Sequence, residues 1–302
     1  MATMDILCIG SALWDQIGRH DGPMGHGADM PGRIRTRPGG VAMNIALTLR
    51  RFGLNPQVLT ALGKDEAGRL LLEEIRGAGL GGDYIHIMQN HPTDRYMAIE
   101  DTSGLVAAVA DAHTLEAAGD AILAPLRNGP LGTRQDPYRG AIALDGNLTE
   151  ALLSEIAADP AFERADLRIA PASPGKAARL APLLGHPGAT LYVNRAEAGT
   201  LAGTPAASTE GVADTLVARG ATRVLVTDGG QPVAEAGRAG RRTACPIPVQ
   251  IAQITGAGDT FMAAHIAAEL GGASPEDALQ TALDAAAGHV SGQPDMLKEA
   301  DQ

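Results

Sequence analysis

At 302 residues, 45% of them hydrophobic, the chain can bury a full core and suits one large α/β domain, or one with a small appendage. A net charge of −11 argues against a polyanionic partner or an anionic membrane surface, and 3% aromatics argue against a stacking platform for single-stranded nucleic acid. No apolar run approaches the roughly 20 residues of a membrane span, no signal peptide is legible, and Cys8 and Cys245 read as buried free thiols, so a cytoplasmic protein with no nucleic-acid or membrane partner is expected.

Residues 4–9 read as a buried strand ending at Gly10. Asp15 follows within a few residues, where α/β proteins place ligand contacts; a turn aspartate fits the same position. Residues 20–31 are dense in Gly, Pro and Asp and read as a loop or hairpin tip. Residues 33–37 alternate charged and other side chains, as a half-exposed strand does.

Pro38, Gly39 and Gly40 open the next stretch. Ala42, Ile45, Ala46, Leu49 and Phe52 fall on one helical face, and Gly53 ends the helix. Two glycines at a helix entrance let a ligand sit against the backbone. Asn44, one turn in, can donate to and accept from hydroxyls. A plain amphipathic helix with a Gly-rich start is the alternative. Residues 57–61 read as a strand, 64–77 as a helix and 84–88 as a strand. Residues 93–99 and 105–109 read as a hairpin around Gly104, followed by Asp111. With residues 12–20 and 32–37 they predict a small separate sheet, and such a sheet commonly serves as a lid.

Helical stretches at 113–125, 148–158, 174–184 and 208–220 alternate with strands at 140–144, 167–170, 189–193 and 222–227. That alternation predicts a parallel sheet with helices on both faces. Polar residues gather at its strand ends: Asp145 and Asn147, Asn194 and Glu197, then Thr227, Asp228 and Gly229. The carboxyl edge of such a sheet is where ligands bind. The loop from Arg127 to Arg139 carries no signal. Gly175 and Lys176 do not form a Walker motif, because Ala177 follows and Ala170 stands where the first glycine belongs.

Gly256, Ala257, Gly258 and Asp259 form a glycine-bearing turn feeding an apolar helix that stops at Gly271 and Gly272. Free amides and the macrodipole at such a helix start make an anion hole for a phosphoryl group in flight. Asp259 would repel a phosphate. Its chemical use is to accept a proton from a hydroxyl that attacks one, and the helix field is expected to keep it ionised. A helix cap and a tight turn are the other reading. Residues 275–290 form a final Ala-rich helix.

These motifs, in this order and spacing, resemble the ribokinase-like (PfkB-type) family of carbohydrate and nucleoside kinases. The signatures are Gly39, Gly40 and Asn44; Asn194 to Glu197; Val226 to Gly229; and Thr255 to Phe261. The resemblance spans essentially the whole chain. It implies an α/β three-layer fold with a mostly parallel sheet and a β-sheet lid, as one domain over 1–302 with lid strands from about 12–37 and 93–110. Shorter cues at 9–15, 38–46, 145–148 and 194–197, with the lid stretch through Asp111, are similar to the pseudouridine-kinase branch. The implied activity is ATP-dependent transfer to a primary hydroxyl of a ribose-bearing substrate, pseudouridine first. Another sugar or nucleoside acceptor, or a non-catalytic nucleotide sensor, is the alternative.

By position, the resemblance implies Asp259 as base and the amides of Gly256, Ala257 and Gly258 as the phosphoryl cradle. Asp15, Gly39, Gly40, Asn44 and Asp111 would bind substrate. Asn194 and Glu197 would act on the phosphates and on Mg²⁺, Glu197 through water, and Thr227 and Gly229 would line the nucleotide site. It also implies a homodimer through the lids. Two residues depart from the pattern. Gln253 stands where many members carry Asp near a monovalent cation, which predicts weak dependence on K⁺. Asp228 replaces a residue that is usually apolar.

Overall fold

The computed structural model describes residues 5–293. In chain order, β1 (Asp5–Ile9), β2 (Leu13–Arg19) and β3 (Arg33–Gly39) lead into α1 (Val41–Arg51). Then come β4 (Asn55–Leu59), β5 (Ala61–Gly63), α2 (Glu66–Gly77), β6 (His86–Met88), β7 (Arg95–Asp101) and β8 (Gly104–Asp111). Helix α3 (His113–Ala118) passes through a 3-10 segment into α4 (Ala124–Arg127), followed by a minimal hairpin of β9 (Asn128–Gly129) and β10 (Gly132–Thr133). The remainder is β11 (Ala141–Asp145), α5 (Glu150–Ala158), β12 (Asp166–Ala170), β13 (Ala189–Asn194), α6 (Arg195–Ala202), α7 (Thr209–Ala218), β14 (Arg223–Asp228), β15 (Gln231–Gly237), β16 (Gly240–Ala244), α8 (Ala257–Leu270) and α9 (Pro275–Val290).

Eight strands form the main sheet in the order β16-β15-β14-β13-β12-β11-β1-β4. The six from β14 to β4 run parallel, and β15 and β16 close one edge antiparallel. Strands buried on both faces must be apolar throughout, and Ala141 to Asp145 are buried at every position. One face packs on α3, α5, α6 and α7 through residues such as Leu144, Leu153, Leu167 and Leu216. The other packs on α1, α2, α8 and α9 through Ile45, Leu49, Ile75, Met262 and Leu283. Burying each such Leu or Ile stabilises by roughly 1.5–3 kcal/mol. The result is the three-layer fold expected from the alternation.

A second sheet, β3-β2-β7-β8, stands apart from the first. Its β2–β7 pair is parallel and its outer pairs are antiparallel. Its strands cover the stretches expected to leave the main alternation. Helix α8 is fixed to the main sheet by a buried polar group. Arg168 donates to Tyr192 Oη at 3.1 Å, Tyr192 Oη meets His265 Nδ1 at 2.9 Å, and Arg168 also pairs with Glu269.

Three local readings change. The expected helix at 174–184 is a 3-10 run, Pro174–Leu183. Pro182, inside the run, brings no amide hydrogen to an α-ladder. The expected helix at 113–125 breaks at Gly119, whose φ is +50°. Cys245 is exposed, while Cys8 is buried and its thiol pKa is pushed up by that burial. The silent stretch from Arg127 to Arg139 begins with a buried guanidinium, 3.0 Å from Asp120 and 2.8 Å from both Glu155 and Asp159. Among the described residues, no helix is long and apolar enough to cross a membrane.

Candidate active site

Helices α1 and α8 start side by side at the carboxyl edge of the main sheet. Gly40 is the N-cap of α1, with φ +98°, and Gly256 is the N-cap of α8, with φ +89°. Both conformations favour glycine. A Cβ at Gly40 would lie 2.5 Å from the carbonyl oxygen of Ser11, and one at Gly39 would lie 2.3 Å from the Asp15 carboxyl. The glycine pair is therefore what lets the strand–helix turn close over Ser11 and Asp15.

From these two turns Asn44 Nδ2 donates to Asp259 Oδ2 at 2.9 Å. Asp259 is not the cap of α8: it stands three residues past Gly256, and its carboxylate is turned to Asn44. Burial pushes its pKa up to about 7, opposed by the Asn44 bond and reinforced by the carboxylates of Asp145, Asp15 and Glu197. Against the expectation that the helix field keeps Asp259 ionised, its pKa is raised above the ordinary carboxylate value. Desolvation and a ring of like charges outweigh that field.

Asp15 lies on β2, opposite Arg37 of β3 and Tyr96 of β7. It is 6% exposed and 3.6 Å from the Arg37 guanidinium. Burial raises its pKa and Arg37 opposes the rise. Asp111, at the end of β8, is half exposed, and its carboxylate pairs with His113 Nδ1 at 2.6 Å. No bond joins it to the Asp15, Asn44 and Asp259 group among the described residues.

The amides at the start of α8 differ from expectation. Ala257 N already donates to Ile254 O at 3.1 Å, closing the turn. Among the described residues, no backbone carbonyl accepts from Gly256 N or Gly258 N. The preceding loop is tied to the end of α9: Gln253 Nε2 donates to His289 O at 3.1 Å, and His289 Nε2 meets Thr255 O at 2.9 Å.

Asn194 and Glu197 form a capping box at the start of α6. Asn194 Oδ1 accepts from Glu197 N at 2.9 Å, and Glu197 Oε2 accepts from Asn194 N at 2.8 Å. Burial raises the Glu197 pKa against those bonds. Asn194 sits beside Thr227 in the β13–β14 register. Gly229 turns the chain into β15 with φ +56°. Asp228 Oδ2 accepts from Arg195 Nε at 2.8 Å. No group of three His, Cys, Asp or Glu side chains among the described residues could hold a metal ion alone. One buried, partly committed carboxylate at Glu197 fits a metal that keeps most of its water and is held mainly by substrate phosphates.

The sequence motifs assigned no role to Ser11 or Lys176, and gave Asp145 and Asn147 as polar strand ends and as part of the 145–148 cue, again without a role. The structure links all four. Asp145 Oδ2 accepts from Ser11 N at 2.7 Å and from Ser11 Oγ, and Asn147 Nδ2 donates to Ser11 Oγ at 3.0 Å. Lys176 Nζ donates to Asn147 Oδ1 at 2.6 Å. The available signal was the Asp-Gly-Asn run directly after a buried strand.

A family model described as pfkB family carbohydrate kinase matches residues 3–293. The chain is 29% identical over 263 residues to pseudouridine kinase of Escherichia coli (strain K12), covering 85% of this chain and 81% of that protein. A carbohydrate kinase from Agrobacterium tumefaciens has a similar structure, with TM-score 0.75, 26% identity, and coverage of 94% of this chain and 90% of that one. Arabidopsis thaliana ribokinase complexed with ribose and ATP shares the fold at TM-score 0.76 and 22% identity, over 96% of this chain and 93% of that one.

Proposed function

The chain belongs to the pfkB family of carbohydrate kinases, and from that premise we propose that it transfers the γ-phosphoryl group of ATP to the 5′-hydroxyl of pseudouridine. Membership makes it a phosphotransferase with a hydroxyl acceptor, a sugar or nucleoside kinase. The finer acceptor rests on the likeness to the Escherichia coli pseudouridine kinase, and the donor on the ATP bound by the Arabidopsis ribokinase. The observation that carries the reading is the Asn44–Asp259 bond, which joins the two glycine-started helices at one point.

In this reading Asp259 takes the proton from the attacking hydroxyl. A base with pKa near the working pH balances availability of the ionised form against proton affinity. Asp15 accepts from the sugar hydroxyls, and Asn44, with one N–H committed to Asp259, offers its carbonyl and second N–H. Gly39 and Gly40 leave room for the sugar against the backbone. The amides of Gly256 and Gly258 receive the moving phosphoryl, and that of Ala257 joins them by leaving Ile254. Asn194 and Glu197 face the phosphates, with Glu197 reaching Mg²⁺ through water, and Thr227 and Gly229 line the nucleotide. Mg²⁺, when bound with the nucleotide, neutralises charge developing on the phosphate oxygens.

The chain works in this proposal as one kinase domain whose small sheet closes over the acceptor as a lid, bringing Asp111 toward it. The outer face of that sheet exposes Ile34, Met97, Ile99 and Val109, a patch that supports pairing of two lids in a homodimer. Free, unpaired cysteines suit a reducing cytoplasm.

The test is ADP release across a panel of pseudouridine, uridine, cytidine, ribose and fructose 6-phosphate. Pseudouridine is expected to give the highest kcat/KM. Efficient turnover of fructose 6-phosphate with none of pseudouridine sinks the acceptor, and no turnover of any member sinks the sugar and nucleoside reading.

A further inference from the structure

Asp145 is 0% exposed, and both of its carboxylate oxygens accept hydrogen bonds. Oδ2 accepts from Ser11 N, Ser11 Oγ and Asn147 Nδ2, and Oδ1 accepts from Asn147 N at 2.8 Å. It is a buried anchor for Ser11 and the turn that carries Asn147. Ser11 has one hydroxyl proton, and that proton goes to the carboxylate, which can only accept. Ser11 Oγ is therefore an acceptor toward its other neighbours, Val41 N at 2.9 Å and Asn147 Nδ2 at 3.0 Å. This fixes which way the Asn147 amide points: Nδ2 toward Ser11, Oδ1 away from it and toward Lys176.

The same contacts locate the amide. Val41 is the first residue of α1, the turn from which Asn44 reaches Asp259. Asn147 is thus one hydroxyl group away from the acceptor side of the cleft. Arg179 Nη1 holds the carbonyls of Asn147 and Leu148 at 3.3 Å each, and also bonds Glu116, so the loop is held in place. Asn147 and Lys176 are half-buried. Desolvation lowers the Lys176 pKa, Arg179 adds to that, and Asp145, Glu116 and Asp94 oppose it. One of the three ammonium hydrogens goes to Asn147 Oδ1; Oδ1 keeps a second lone pair.

We propose that Lys176 and Asn147 are specificity-determining residues that read an amide-type edge, a carbonyl beside an N–H, on the base of the acceptor nucleoside. This rests on the nucleoside-kinase reading above. Lys176 donates to the base carbonyl, and Asn147 Oδ1 accepts from the adjacent ring N–H. Uracil-type bases carry that edge. Cytosine has a lone pair where the ring N–H would be, and ribose has no base. A half-buried donor–acceptor pair left without its complement costs most of its desolvation, so analogues lacking the edge are rejected.

The experiment compares wild type, Lys176→Met, which keeps the apolar stem, and Lys176→Arg, which keeps the charge. Melting temperature checks folding. KM and kcat are measured for pseudouridine and ATP, and ribose is measured as substrate or competitor. Lys176→Met is expected to raise KM for pseudouridine about tenfold or more, with a smaller fall in kcat, as loss of a charged hydrogen bond does. KM for ATP and the ribose constant should move less than about twofold, and Lys176→Arg should recover part of the loss. A wild type that phosphorylates pseudouridine, with Lys176→Met unchanged or equally impaired toward ribose, overturns this proposal and leaves the nucleoside reading standing. A rise confined to the ATP KM also overturns it, because the ammonium then serves a phosphate. A wild type that accepts ribose and no nucleoside overturns both.

Discussion

Asn44 Nδ2 and Asp259 Oδ2 meet at 2.9 Å across 215 residues of sequence. The bond stabilises the ionised carboxylate and so lowers its pKa. Burial and the neighbouring carboxylates win, and the group titrates at about 7. If Asp259 is the base, kcat/KM should rise with pH through about 7 and level off above it, since only the ionised form accepts a proton. Asn44→Ala removes a donor to the ionised form, so its pKa goes up and the profile should move to higher pH. A flat profile from pH 6 to 8 in wild type contradicts this.

The loop before α8 bears on monovalent cations. Gln253 Nε2 donates to His289 O at 3.1 Å, so the side chain brings an amide and no negative charge to this turn. Replacing Na⁺ with K⁺ at fixed ionic strength should change turnover less than about twofold. Gln253→Asp removes the amide and adds a carboxylate, and should create K⁺ activation. A many-fold K⁺ effect in wild type refutes the first expectation.

The small sheet should pair. Ile34 is 80% exposed and Val109 69%, while Met97 stands opposite Val109 in register. A lone sheet with an apolar outer face and open edges is normally covered. Sedimentation of the wild type at micromolar concentration should give a dimer mass, and Val109→Arg should shift it to the monomer. A monomeric wild type removes the homodimer.

The parts of the site legible in sequence share one property. Gly40 and Gly256 are required locally by a positive φ at a helix start, and a glycine pair before an amphipathic run is visible in the sequence even though the close approaches of Gly39 and Gly40 are to Asp15 and Ser11. The alternation of apolar strands and amphipathic helices likewise gave the sheet. What stayed hidden depends on contacts between distant segments. The Ser11–Asp145 bond spans 134 residues, and Lys176 acquires its partner only when the turn after β12 packs beside the end of β11. The charge state of Asp259 was misread for the same reason. Its helix position is local, but the carboxylates of Asp15, Asp145 and Glu197 arrive from β2, the end of β11 and the start of α6. The exposed Cys245 and the engaged amide of Ala257 depend on how the segment between β16 and α8 leaves the sheet, which no periodicity encodes.

Asp259→Asn separates catalysis from stability, because the two readings of the residue predict opposite signs. A folded pKa of about 7, above the ordinary carboxylate value of 3.8, means that the native state holds a proton which the unfolded state has released. Between about pH 4 and 7 stability therefore falls as pH rises, and above 7 the ionised carboxylate is a standing cost to the fold. Asparagine keeps the shape and stays neutral, so the variant should melt a few degrees higher than wild type at pH 8, with a smaller difference at pH 5; in a chain of this size each kcal/mol moves the midpoint by about 2–4 °C. Were Asp259 a helix cap, the variant would instead melt lower, by the roughly 1 kcal/mol a lost cap costs. Turnover should fall by roughly 10²–10⁴-fold, the range for removal of a general base. ATP binding, measured by calorimetry, should survive. Both measurements on one preparation decide the matter: a variant that melts earlier and works at near wild-type rate leaves Asp259 structural and the proposed reaction without its proton acceptor.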